Sequence, residues 1–371
     1  MQMGLFHQPD AVRYHRWQFW LSCLGFLITV AYLWIFLSSG VALLVRDWLA
    51  ASTRFWWLQI ALALIVMGLG LRILTAPLSW AQGFWLPRRF GLLQQPFLSW
   101  AWDQLKGALI GGVLVLLATE IVYGLLRSTQ LWWLWAAGIF FIGYTILATV
   151  VPIWIVPLFY KLVPLQDAEL RDRLLNLARQ AGVPVVGVWV ADQSRKSKTA
   201  NAALTGLGRT RRILLFDTLV QHFTAEEVES VMAHEMGHHV HGDIWRGLIV
   251  QGVVSVATLW AANRLLRAGS ERLGLDSPAD PAGLPLLSLI LIGLGLIAMP
   301  LGNAFSRWME RRADDFALAM TRAPQAFMSA MERLADLNLA ERRPNRLKEF
   351  LFHSHPSIAR RIARAHAWSA K

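Results

Sequence analysis

Residues 17–45 contain no Asp, Glu, Lys, Arg or His. A helix crosses the hydrocarbon of a bilayer with about 20 apolar residues, so this run is long enough to span and directs the chain toward lipid. Five further stretches repeat the pattern. Residues 55–71 continue past Arg72 toward Pro87, and residues 107–126 are interrupted by Glu120. Residues 128–160 suffice for one span and an exit, and residues 247–263 and 281–306 bring the count to six. The first run exceeds the roughly 7–15 apolar residues of a signal-peptide core, so an uncleaved anchor is expected. Composition agrees: 55% of the 371 residues are hydrophobic and 16% charged, against about 25% charged in soluble domains. A disordered chain and an ordinary soluble enzyme are both excluded. Cys23 is the only cysteine, which rules out an intramolecular disulfide and a cysteine-based zinc site.

Four spans within 1–160 precede a polar region, 161–244. Two more spans, within 245–306, precede a basic tail, 307–371. An even number of crossings returns the polar region and the tail to the side of the N-terminus. Arg13, Arg16, Arg88, Arg89 and Lys106 lie on that side too, against Arg46, Arg54, Arg127, Arg267 and Arg272 opposite. Basic loops favour the cytoplasm, so a cytoplasmic polar domain is expected. The net charge of +12 and the 19 Trp fit anionic headgroups and the membrane interface. No nucleic-acid motif accompanies the charge, and no nucleic-acid partner is expected.

Within the polar region, residues 170–180 have a helical pattern, and residues 183–191 and 211–219 are β-branched and apolar enough for strands. The segment between the strands carries Gly206 and Gly208 and reads as a turn beside an edge strand. Thr224 and Glu227 have the spacing of a capping box. The helix they open contains His234-Glu235-Met236-Gly237-His238. Residues i and i+4 share a helix face, so His234 and His238 can ligate one Zn²⁺ per chain, with Glu235 beside them as general base. Zinc lowers the pKa of a bound water toward neutral, and the carboxylate takes its proton as a carbonyl is attacked. The angles of His239 and His241 favour surface or interface roles.

A catalytic zinc keeps three protein ligands and one open position. Glu310 and Asp314 are i and i+4 on a helix after the sixth span. Glu310 is a candidate third ligand, and Asp314 a candidate acceptor for a ligand imidazole N–H. On spacing alone, a solvated cluster with Arg307, Arg311 and Arg312 fits equally well.

Six blocks in order resemble the type I CAAX prenyl protease family of integral-membrane zinc metallopeptidases. VMAHEMGHHVHGD is similar to its zinc helix and SRWMERRAD to its third-ligand motif. SRKSKTANAALTGLGRTRRILLFDTL is similar to its strand–turn–strand block, and RRFGLLQQPFLSWAWDQLKG to its N-terminal membrane signature. PLFYKLVPLQDAEL resembles the entry to the catalytic domain, and HSHPSIARRI the C-terminal block. The resemblance implies a mainly α fold, in which membrane helices enclose a chamber and a gluzincin-like protease domain carries a small β-sheet. It implies that His234, His238 and Glu310 bind zinc, that Glu235 is the base and that Asp314 orients an imidazole. Asn201 would hold an extended peptide by strand addition. Arg361 and His355 would contact substrate near the metal, His355 in position to stabilise the oxyanion.

The chamber offers Glu120 a water-filled surface, and an interfacial, solvated Glu120 is the other reading. The six spans fall one short of the seven of characterised eukaryotic members, and their acidic insertion before the zinc helix is absent. This short form implies a bacterial inner-membrane protein. Its substrates are then expected among membrane-associated or misfolded chains, or CAAX-like C-terminal peptides. A non-catalytic transporter or chaperone module is the alternative, favoured by the polytopic core and Glu120 but without use for a three-ligand set and a base.

Overall fold

The structure is a computed structural model that describes residues 8–206 and 211–370. Gly208 and its neighbours in 207–210 lie outside the described residues. Six helices fill the N-terminal part: α1 Gln8–Ser38, α2 Val41–Ser52, α3 Trp56–Trp80, α4 Leu86–Arg89, α5 Phe97–Ser128 and α6 Trp132–Val150. The remainder is α7 Ala168–Gln180, α8 Asp217–His222, α9 Ala225–Val240, α10 Asp243–Arg272, α11 Leu284–Thr321, α12 Pro324–Leu337, α13 Arg346–Phe352 and α14 Ile358–Ser369. Among the described residues, five helices are long and apolar enough to cross a membrane, and α6 with its continuation, bent by 42°, supplies a sixth crossing if counted as one.

The apolar run 17–45 is not one helix. It breaks at Gly40, whose φ of +82° is open to glycine at little cost. At 12 residues, α2 is about 18 Å long and too short to span. The spans pack through Leu49, Ile60, Tyr123, Trp132, Leu266 and Leu284. Trp132 Nε1 donates to Asn263 Oδ1 at 2.8 Å, a buried polar link between α6 and α10. Glu120 on α5 is half-buried, and its Oε1 is enclosed without a hydrogen-bond donor.

Among the described residues the strands are β1 Leu162–Pro164, β2 Val188–Ala191, β3 Ala202–Thr205 and β4 Arg212–Phe216. They lie in the order β1-β2-β4-β3, with β2 and β4 parallel and the outer pairs antiparallel. Both expected strands are shorter than their apolar runs. Pro184 lacks a backbone donor, bonding toward β4 begins at Val186 N, which donates to Arg211 O at 2.7 Å, and the strand itself covers 188–191. At the other strand Asp217 opens α8. The sheet packs against α7 and α9, with α12 behind α9, around one core of Leu174, Ile213, Leu215, Met232, Met236 and Phe327.

The two halves meet through the loop before β3. Lys196 Nζ contacts Asp103 Oδ2 of α5 at 2.5 Å and lies over the rings of Phe159 and Tyr160. Leu93 and Ser197 form an isolated bridge beside it. The sixth span and the segment carrying Glu310 are one continuous helix, α11, so the bundle hands a side chain directly to the polar domain.

Candidate active site

Helix α9 begins as its sequence requires. Thr224 Oγ1 accepts from Glu227 N at 3.3 Å, and Glu227 Oε2 accepts from Thr224 N at 2.8 Å. The other Glu227 oxygen takes Ser329 Oγ and Arg333 Nε of α12, which anchors the start of α9 to its neighbour. Gly237 lets α11 close in. A Cβ there would stand 3.1 Å from Ala313 Cα and 3.2 Å from Phe316 Cβ. The glycine inside the His-Glu-Met-Gly-His motif therefore serves helix packing, which brings Glu310 to the histidines.

His234, His238 and Glu310 present one ligand atom each within 4.8 Å of one another. His234 Nε2 lies 3.3 Å from Glu310 Oε2, and His238 Nε2 lies 3.4 Å from Glu310 Oε1. These spacings match the edge of a tetrahedron with bonds of about 2.0–2.1 Å, roughly 3.4 Å. Glu310 Oε2 is buried, and apart from His234 Nε2 at 3.3 Å it meets no donor, an under-satisfied acceptor that a cation would satisfy. Two imidazoles and a carboxylate are the donor set of a catalytic zinc site.

Each imidazole is held from behind. His234 Nδ1 lies 2.9 Å from Asp314 Oδ1, and Asp314 is 1% exposed. Arg361 Nε and Nη2 contact Asp314 at 3.0 and 2.5 Å, and Nη2 is 3.2 Å from His234 Nδ1. His238 Nδ1 lies 3.0 Å from Asp243 Oδ2. Asp243 escaped the sequence reading. It follows Gly242, whose φ of +66° starts α10 immediately after α9, and its buried carboxylate also faces Arg246 and Arg312. Its place five residues beyond His238 was the available signal, but only the turn at Gly242 aims it backward.

Burial and the Arg361 charge pull the His234 imidazole down, yet its hydrogen bonds to Asp314 and Glu310 prevail and hold it up at about 9. His238 is also raised, its burial outweighed by Glu310 and Asp243. The carboxylates thus favour the protonated rings, and a metal would compete with those protons. Burial pushes the Glu235 carboxyl up against the lowering pull of His234 and His238.

A cavity of about 630 Å³ opens in front of this cluster. His234, Glu235, Asn201, His355 and Arg361 line it, with His353 and Asn338. His355 Nε2 is 3.2 Å from Glu310 Oε1 and its side chain is 61% exposed, so it can meet a ligand in the cavity. Asn201 is exposed at the start of edge strand β3 and caps its own strand through Ala202 N at 2.9 Å. Arg361 reaches the cavity with its guanidinium already engaged by Asp314. Of the histidines left out of the ligand set, His239 lies beside the Leu204 backbone of β3 and His241 packs edge-on against Phe316.

Comparison with known proteins identifies the family. Residues 164–369 match the profile of peptidase family M48, and residues 8–161 match the CAAX prenyl protease N-terminal region, described as five membrane helices. The chain is 31% identical over 336 residues to an uncharacterized metalloprotease of Bacillus subtilis, covering 89% of this chain and 79% of the relative. It is 28% identical to CAAX prenyl protease 1 of Saccharomyces cerevisiae, covering 78% and 68%. The crystal structure of S. mikatae Ste24p superposes with a TM-score of 0.84 over 96% of this chain and 88% of that one, at 24% identity. That last likeness establishes the fold.

Proposed function

The chain belongs to peptidase family M48, as a membrane metallopeptidase of the CAAX prenyl protease type, and from this premise we propose a zinc endopeptidase that hydrolyses extended peptides of membrane-associated or misfolded proteins. The observation that carries the reading is the convergence of His234, His238 and Glu310 on one point beside Glu235. His234, His238 and Glu310 would hold one Zn²⁺, with Asp314 and Asp243 accepting the Nδ1 protons so that each Nε2 lone pair is free for the metal. Zinc, when bound there, supplies Lewis acidity that polarises a peptide carbonyl and brings the acidity of water near neutrality.

Glu235 accepts a proton from the attacking water and delivers it to the leaving amine nitrogen. Its raised pKa suits both transfers. His355, facing the same carboxylate as both ligand histidines, donates toward the oxygen that gains charge as the carbonyl is attacked. Substrate adds as a further strand along β3, with Asn201 at its start holding peptide main chain. Arg361 keeps Asp314 ionised and directed at His234 while its outer edge meets substrate. The polar residues of 161–244 and 307–371 form the protease domain, on the cytoplasmic face of a bacterial inner membrane.

An unbiased peptide mixture, incubated with the detergent-purified protein and with Glu235→Gln, tests the reading by mass spectrometry. Cleavage by the wild type and not by Glu235→Gln, both with full zinc, is expected. Equal cleavage by both removes Glu235 as base. A farnesylated C-terminal peptide belongs in the mixture. Cleavage confined to it would replace membrane-associated or misfolded proteins with a prenylated substrate class.

A further inference from the structure

The loop that delivers His355 is gripped by a buried arginine. Arg307 lies on α11 one turn before Glu310 and is only 8% exposed, unlike Arg311, which faces outward. Its Nη1 donates to the carbonyls of Glu349 at 3.1 Å, Phe350 at 3.3 Å and His353 at 2.5 Å. These are carbonyls of the last turn of α13 and of the residue that follows it. Glu349 O also takes His353 N at 3.2 Å, and carbonyls at a helix C-terminus carry the negative end of the helix dipole, which suits a guanidinium. One turn earlier on α11, Asn303 Nδ2 donates to Leu351 O at 2.6 Å.

The loop is fastened again beyond His355. Ser357 N donates to Glu349 Oε1 at 3.1 Å, with both residues buried. Between these fixings, His355 meets Ser354 Oγ at 2.9 Å through Nδ1 and Glu310 Oε1 at 3.2 Å through Nε2. Asn303, Arg307, Glu310 and Asp314 are spaced i, i+4, i+7 and i+11, within one helix face. One stripe of α11 therefore sets three things in a single register: the carboxylate at the metal site, the carboxylate behind His234, and the loop with the third imidazole.

We infer that Arg307 is a positioning residue for His355: through the α13 carbonyls it sets where the imidazole stands relative to Glu310, without touching substrate. The inference rests on the proposed role of His355 in peptide hydrolysis. All three carbonyls share the two N–H groups of one nitrogen, so a lysine ammonium, with three donors, can take over the task, whereas an isosteric apolar side chain cannot.

The test uses the full-length, zinc-loaded enzyme, with turnover expressed per bound zinc. His355→Ala is expected to lower kcat about 10²-fold, the usual loss for an oxyanion donor. Arg307→Met should lower kcat by about 10- to 10²-fold with KM little changed, and the double variant should fall no further than the worse single one, because both remove the same interaction. Arg307→Lys should recover to within about fivefold of wild type. In the metal-free proteins, Arg307→Met should speed amide exchange in 349–357 by about tenfold or more while the α9 amides stay protected.

Losses that multiply in the double variant, or exchange that rises equally in α9, overturn the inference and leave a general structural role. A His355→Ala enzyme with wild-type turnover overturns the proposed role of His355 and the inference with it. If Arg307→Met does not accumulate, Arg307→Gln enters the same cycle with the same criterion.

Discussion

The membrane helices and the protease domain bury their groups by different rules. The spans expose large apolar side chains along their length, such as Leu98, Ile73, Ile297 and Leu301, each above 70%. Lipid is as apolar as those side chains, so little free energy depends on which one occupies an outward position. Polar links between spans are few and specific, as with Trp132 and Asn263. The protease domain instead buries charge and pairs it. Glu227, Asp243, Arg307, Glu310, Asp314 and Glu349 are all less than 9% exposed, and each contacts a partner group. The first half is specified mainly by composition and length, the second by position. Helix α11 obeys both rules, apolar and exposed at Ile297 and Leu301, then polar and enclosed at Arg307, Glu310 and Asp314.

The sharpest way to break this contrast is to remove one enclosed group. Glu310→Ala should lower zinc affinity by more than the roughly 10- to 100-fold that follows loss of an outer-shell partner, read by competition with a chelator of known affinity. Full occupancy at low free zinc would remove Glu310 from the site. Asp243→Ala should fall within that 10- to 100-fold range in the same titration, because it frees His238 to rotate while leaving the ligand in place. An unchanged affinity would make Asp243 a partner of Arg246 and Arg312 alone.

A packing change comes next. Gly237→Ala forces a methyl against Ala313 and Phe316, with a cost of about 1–3 kcal/mol for overpacking. A lower unfolding temperature and weaker zinc binding together would show that the α9–α11 approach supports the ligands. The smallest effect is expected in lipid. Leu301→Ala should leave turnover unchanged and stability within about 0.5 kcal/mol. A loss as large as that of Gly237→Ala would mean that the outward face of α11 is not a lipid surface.

How far each part can be read from the sequence follows the same division. Six apolar runs announce the membrane half, because its requirement is local and additive. They conceal the break at Gly40, since neither α1 nor α2 needs a charge there. In the protease half, the capping box at Thr224 and the i, i+4 histidines are local geometry and stand where the spacing puts them. Glu310 and Asp314 share a helix face as expected, but their approach to α9 depends on Gly237 and a tertiary crossing. Arg307 looked like one more basic residue beside Arg311 and Arg312, because burial comes from α13, more than 40 residues later. Asp243 depends on a single left-handed turn. The strand edges moved inward where Pro184 and Asp217 give the backbone other tasks.

The central claim is that one helix face from each half, α9 and α11, builds a zinc centre of two imidazoles and a carboxylate. X-ray absorption at the zinc edge of the purified protein measures this most directly. The account predicts one zinc per chain, with two imidazole nitrogens at about 2.0–2.1 Å, an oxygen shell at about 2.0–2.2 Å and no sulfur, and loss of one imidazole in His238→Ala. An all-oxygen shell, or a spectrum indifferent to His238→Ala, would contradict it.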